Sequence, residues 1–297
     1  MSTIAAQVPT LRTNLADYGV TKAMKDGRVT SALVHLDYCG PTPAHNGFKA
    51  MVRENKFDAG ELAIVTFLQA KAYGKPYVLL PAPISGRFQH HCAGFNIDFG
   101  HLDPKDIEGR QVGVRSYAQT TGLWIRGILR HEYGVDLDKV VWRTLIDGHL
   151  AEYQDPDNCI RLPAGSSIPD LMMRGELAAA LLGEDMPKDP RVRTLVPDAH
   201  NAARAWFARE GVVPINHMFA VHKDLSKQQP QVVREIYRMI AESRALAEGV
   251  PAAFPPLGLE ANRKGLQLAI DWALDQKIIP HRLSVDELFD DLTGALG

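Results

Sequence analysis

The sequence predicts an α/β protein of two domains, each a mostly parallel sheet flanked by helices, with a ligand cleft between the domains. Three observations carry this. Strand-like and helix-like segments alternate along the chain, which implies parallel sheets covered by helices. Two extended segments, near residues 100 and 215, read as crossings between domains, so residues 1–108 plus 215–297 form a discontinuous outer domain and 109–214 an inserted one. The length, 297 residues, suffices for two domains of ordinary size. Clefts at domain interfaces are favoured sites for small molecules.

The elements follow in order. Leu11 to Leu15 alternates apolar and polar residues, as a half-buried strand does. Asp26-Gly27 marks a turn, and Ala32 to Tyr38 reads as a second strand that stops at Gly40-Pro41. A helix runs from about Ala44 to Glu54, and FDAGELAIVTFLQAKAYGKP reads as a turn followed by a helix ending at Gly74. Tyr77 to Leu80 is a continuous apolar run suited to a strand buried on both faces. Pro81 to Phe99 and Asp103 to Gly109 form the first crossing. The inserted domain opens with a strand at Val112 to Val114, a polar turn, and an amphipathic helix from about Gly122 to Gly134. Val140 to Leu145 reads as a strand, Leu171 to Ala180 as a helix, Arg193 to Val196 as a short strand and Ala202 to Arg209 as a helix. Gly211 to Val221 is the crossing back. Pro230 to Glu248 and Leu257 to Lys277 carry apolar residues at helical spacing, and Ser284 to Glu287 matches a capping box that should start a last helix at Val285.

Composition excludes several classes. Hydrophobic content of 45% and charged content of 23% are those of a soluble globular protein. A formal net charge of −2, with no basic-aromatic stripe, gives no reason to expect nucleic acid or an anionic membrane as partner. No run of about 18 apolar residues exists to span a bilayer. The amino terminus lacks a basic start followed by an apolar run, so no secretory signal is visible. Cys39, Cys92 and Cys159 are odd in number and widely spaced, which fits reduced thiols in a cytoplasmic protein, each a small buried hydrophobe. The sequence allows a homo-oligomer without specifying one.

The chemistry concentrates in Gly109 to Arg130. A strand leads through Arg115, Ser116, Tyr117, Gln119, Thr120 and Thr121 into a helix. The first turn of a helix has N–H groups without intrahelical partners and a partial positive charge, so a polar turn there receives carboxylate or phosphate. Arg115 and Arg126 flank the turn, and an arginine can hold a carboxylate through two parallel N–H bonds. The plainer alternative is that Thr120 or Thr121 caps the helix and both arginines are solvated.

Four collinear blocks, FDAGELAIVTFLQAKAYGKP, PISGRFQHH, GVRSYAQTTGLWIRGILRHEYGV and GVVPINHMFAVHKDL, resemble the 4,5-dihydroxyphthalate decarboxylase family from about residue 50 to 285. The resemblance implies the type II periplasmic-binding-protein-like fold, loss of carbon dioxide from an aromatic dicarboxylate to give protocatechuate, and no organic cofactor. Direct decarboxylation would leave an unstable aryl carbanion. A deprotonated hydroxyl para to the carboxylate pushes electron density onto the carbon bearing it; that carbon takes a proton, and carbon dioxide leaves as aromaticity returns. Such a site needs an acid, a proton acceptor near the hydroxyls and a cationic grip.

Arg115, Arg126 and Arg87 are candidates for the grip, Arg126 the weakest because a helix-surface arginine is ordinarily solvated. His90, His91 and His217 lie on the crossings and titrate near neutrality, and His217 with Asn216 belongs to the PINH block. His35 and Asp37 share one face at the end of a first-domain strand, where open α/β sheets place ligands. Glu61 and Glu184 follow turns and could reach the cleft, although such glutamates are more often solvated or cap helices. His90-His91-Cys92 and His35-x-Asp37 invite a metal reading, but adjacent strand residues point to opposite faces and no HxH, HExxH or CxxC motif occurs. The GxSxG, P-loop and GxGxxG motifs are missing too. The rival class is a non-catalytic receptor for an aromatic carboxylate, which fold cannot separate from an enzyme. A scaffold relative performing another reaction on an aromatic acid is a third.

Overall fold

The computed structural model describes residues 8–297. The chain forms two compact units: one of the described residues up to Gly86 with Ile215–Leu266 and Leu283–Gly297, the other of Arg87–Pro214 and Gln267–Arg282. The division expected from sequence put the first boundary at 108/109 and kept 267–282 in the outer domain. The boundary at 86/87 follows from β5 (Ala93–Asn96), which hydrogen-bonds within the second sheet.

The first unit holds a five-stranded sheet in the order β2-β1-β3-β11-β4. Its strands are β1 (Thr10–Asn14), β2 (His35–Asp37), β3 (Ala59–Ala63), β4 (Tyr77–Gly86) and β11 (Ile215–His222). β1 runs parallel to β2 and β3, whereas β11 is antiparallel to β3 and β4. The sheet is therefore mixed, because the chain re-enters this unit as a strand rather than as a βαβ crossover. Helices α1 (Lys22–Lys25), α2 (Phe48–Glu54), α3 (Ile64–Ala72), α7 (Lys223–Gln228) and α8 (Pro230–Ala245) accompany it. The core packs Leu11, Leu36, Val78, Leu80 and Phe219 from the strands against Val233, Ile236 and Ile240 of α8. The spacing of those α8 residues is the helical stripe legible in the sequence; burying each such side chain is worth about 1.5–3 kcal/mol.

The second unit holds a six-stranded sheet in the order β10-β5-β9-β6-β7-β8. The strands are β5, β6 (Gln111–Val114), β7 (Val141–Thr144), β8 (Cys159–Arg161), β9 (Ala179–Leu181) and β10 (Val192–Thr194). β9, β6, β7 and β8 are parallel, and β5 and β10 close one side antiparallel. Its helices are α4 (Thr120–Tyr133), α5 (Ile168–Met173) and α6 (Ala199–Glu210), and the later part of α9 (Leu259–Asp275) belongs to it. Among the described residues no helix is long and apolar enough to cross a membrane.

Several elements differ from the sequence reading. Ala59–Ala63, expected as a turn, is a strand buried along its whole length. Its apolar run continues into α3, so no alternation separates the two. Gly60 (φ 153°) permits the pairing with β1, since a methyl group there would lie 2.3 Å from the Asn14 carbonyl oxygen. The helix expected at Leu171–Ala180 begins and ends earlier: Ser167 caps α5, Pro169 occupies its first turn, and Ala179–Leu181 is strand β9. The segment read as the crossing back, Gly211 to Val221, is largely β11, between β3 and β4. β4 extends through Pro81 and Pro83 because it is an edge strand, where proline breaks no ladder on the open side. The capping box at Ser284 forms, with Ser284 N–H donating to Glu287 and Glu287 N–H to Ser284 Oγ, but it starts only a 3-10 turn at Asp286–Leu288. Cys92 is buried as expected, whereas Cys39 is exposed and Cys159 half-buried.

Candidate active site

In the first unit, β3 and β11 present Glu61 and His217 on one face. Glu61 pairs with Phe219 and Ala63 with His217, so the two polar residues are diagonal neighbours across the ladder, within reach for long side chains. His217 Nδ1 lies 2.6 Å from Glu61 Oε2. An ionised carboxylate only accepts, so Nδ1 donates and Nε2 is left for other partners. Tyr18, in the turn after β1, donates its hydroxyl to the same Glu61 oxygen at 3.0 Å and lies 3.2 Å from His217 Nδ1. Glu61 Oε1 accepts from the Ala16 N–H at 2.6 Å. Glu61 is wholly buried, the His217 side chain is 19% exposed, and Phe48 of α2 packs edge-on against the imidazole at 5.3 Å. The arrangement is a histidine fixed in one tautomer and orientation by a buried acid, with one nitrogen available for proton transfer.

Sequence reasoning singles out His217 but not the residues that hold it. It reads Glu61 as following a turn and able to reach the cleft, and it gives no role to Tyr18 or Phe48. One signal existed for Glu61: an acid inside the uninterrupted apolar run Ala59 to Val65. Asn216, beside His217 on β11, is buried. His35 and Asp37 are both exposed on β2, an edge strand, and stand apart from the Glu61 pair in sheet order.

In the second unit the polar turn leaves β6 at its carboxyl end and enters α4, which begins at Thr120 with Gln119 as N-cap. No side-chain bond caps the helix, so the threonine cap, the plainer alternative, is not what holds its start. Ser116, Thr120 and Thr121 are buried and Arg115 is half-buried, with the Arg115 carbonyl accepting from the Leu145 and Ile146 N–H groups. Ser116 Oγ and Gln119 Oε1 are buried atoms without a hydrogen-bond partner. Unpaired polar atoms are uncommon in folded interiors, and two of them lie in this one turn before a helix.

Arg126 overturns the expectation of a solvated arginine. Every residue of α4 from Thr120 to Leu129 is buried, Arg126 included, so the helix is not amphipathic over this stretch. Its Nη2 donates to the Tyr117 carbonyl at 2.6 Å and its Nε to Gln276 Oε1 at 2.8 Å. Arg87 is occupied by another candidate, Glu184, at 3.0 Å, and this carboxylate is 81% exposed. His91 is exposed, its Nε2 3.7 Å from Cys92 Sγ. His90 is buried edge-on against Trp206 at 5.8 Å, and burial pushes its imidazole down to about 4. It is neutral at pH 7, which suits packing better than proton donation. His90 to Cys92 forms a 3-10 turn, not a strand. Among the described residues no group of three or more His, Cys, Asp or Glu side chains is placed to hold a metal ion.

The chain is 27% identical over 246 residues to 4,5-dihydroxyphthalate decarboxylase of Comamonas testosteroni, covering 78% of this chain and 74% of that protein. It is 25% identical over 209 residues to the protein of the same name from Pseudomonas putida, covering 65% and 79%. No protein-family model matches it. Among solved structures, the alkanesulfonate-binding protein SsuA from Xanthomonas axonopodis pv. citri, bound to MOPS, superposes with a TM-score of 0.61 at 13% identity, over 96% of this chain and 99% of that one. The chain is thus similar in sequence to two proteins named 4,5-dihydroxyphthalate decarboxylase, and its fold is that of the periplasmic binding proteins.

Proposed function

We propose that this protein is a decarboxylase of a hydroxylated aromatic dicarboxylate, converting 4,5-dihydroxyphthalate to protocatechuate and carbon dioxide. The observation that carries the reading is the buried Glu61–His217 pair at 2.6 Å, read together with two relatives named for this activity. A solute receptor needs hydrogen bonds and shape but has no use for a proton carrier backed by a buried acid. The turn from Arg115 to Thr121 offers helix N–H groups, hydroxyls and a guanidinium to carboxylate oxygens.

The reaction consumes one proton. His217 donates it from Nε2 to the ring carbon bearing the departing carboxylate, while the para oxygen supplies electron density. The carbon–carboxylate bond then breaks, its electron pair restores the aromatic ring, and carbon dioxide leaves. Glu61 holds the imidazole in place and balances its charge while it carries the proton. Incubating purified protein with 4,5-dihydroxyphthalate and following protocatechuate tests the proposal. Turnover supports it. Tight binding without turnover across mildly acid to mildly alkaline pH would leave the receptor reading.

A further inference from the structure

Arg126 is a buried cation without a buried anion. Its guanidinium lies 3.9 Å from the Tyr117 ring centroid and 5.3 Å from that of Trp142, and its two hydrogen bonds go to neutral acceptors. Among the described residues it makes no ion pair, and Nη1 is buried with no partner. A methyl group on Gly122 would sit 2.8 Å from Nη1, so this unbalanced charge lies under the first turn of α4. Asp155 is within electrostatic reach, its half-buried carboxyl pushed up by burial and drawn down by Arg126, but the two form no ion pair. Burying a charge without a counter-charge costs several kcal/mol, and apolar substitutes are commonly as stable. Stacking on two aromatic faces offsets only part of that cost.

We propose that Arg126 is a positioning residue whose uncompensated charge, added to the α4 dipole, makes the Ser116–Thr121 turn selective for dianionic ligands. It acts through the turn, holding the Tyr117 carbonyl, while its field reaches the ligand across a low-dielectric layer that salt does not screen. Gln276 is the neutral support. It accepts from Arg126 Nε and donates through Nε2 to the Leu123 carbonyl at 2.9 Å. The inference rests on the aromatic-dicarboxylate reading.

The test is Gln276→Glu, which places a carboxylate against Arg126 and cancels its charge, keeping the acceptor for Nε while giving up the donor to the Leu123 carbonyl. Calorimetric titration with 4,5-dihydroxyphthalate should show about tenfold or greater weakening, with the loss for the monoanion 3,4-dihydroxybenzoate several-fold smaller. Equal affinity of Gln276→Glu and wild type for the dianion overturns the proposal, as does an equal loss for both ligands. Should Gln276→Glu fold poorly, Arg126→Lys keeps the charge while altering the hydrogen bonds, and there the proposal requires the dianion preference to survive; its loss overturns it. Wild-type protein that binds neither ligand refutes the dicarboxylate reading itself, a result distinct from either outcome.

Discussion

At the scale of single residues, the proposed chemistry separates into a proton carrier and a grip. His217→Asn keeps the size and a hydrogen-bonding group at Nδ1 but cannot carry a proton. We expect the dissociation constant to change little while kcat falls by about 10²–10⁴-fold, the range for a general acid, in steady-state assays of protocatechuate formation. Full activity would reassign the acid. Glu61→Gln leaves the shape but removes the charge, so kcat should fall and the pH–rate profile should move, which a merely structural glutamate would not cause. Arg115→Ala should weaken substrate binding and abolish turnover, because a carboxylate held away from water loses its counter-charge. Unchanged kinetics would remove Arg115 from the site.

At the scale of elements, α4 depends on one close approach. A methyl group on Gly127 would lie 1.9 Å from Cε3 of Trp272 on α9, inside any van der Waals contact. Trp272 also packs edge-on to Trp124 and stacks on His131, at 5.5 and 5.3 Å. Gly127→Ala should therefore destabilise the second unit by about 1–3 kcal/mol or more, read as a lower urea midpoint, despite alanine's better helix propensity. A stabilised variant would show that Trp272 can move aside at no cost.

For the whole molecule, stability should depend on His90. Its folded-state value, about 4, lies below the ordinary histidine value of about 6.5, so the unfolded chain binds more protons between these limits. The His90 contribution is thus fully present above about pH 6.5 and lost progressively as pH falls towards 4. Urea midpoints measured across that window should decline with acidity, and His90→Phe should flatten the decline. An identical slope in the variant would place the acid sensitivity elsewhere.

Local patterns in the sequence determined much of this protein. The α8 stripe, the parallel run of β6 and β7 and the strand–turn–helix at Arg115 all follow from residues near one another in the chain, where periodicity and turn chemistry act directly. Tertiary structure alone decided the rest. β3 and β9 are buried on both faces and carry no alternation, so their apolar runs merged with neighbouring helices in the reading. Arg126 looked like a solvated helix residue until Trp142, Tyr117 and Gln276 enclosed it. The partnership of Glu61 with His217 spans 156 positions of chain, and only the antiparallel pairing of β3 with β11 sets which acid a histidine meets at that distance.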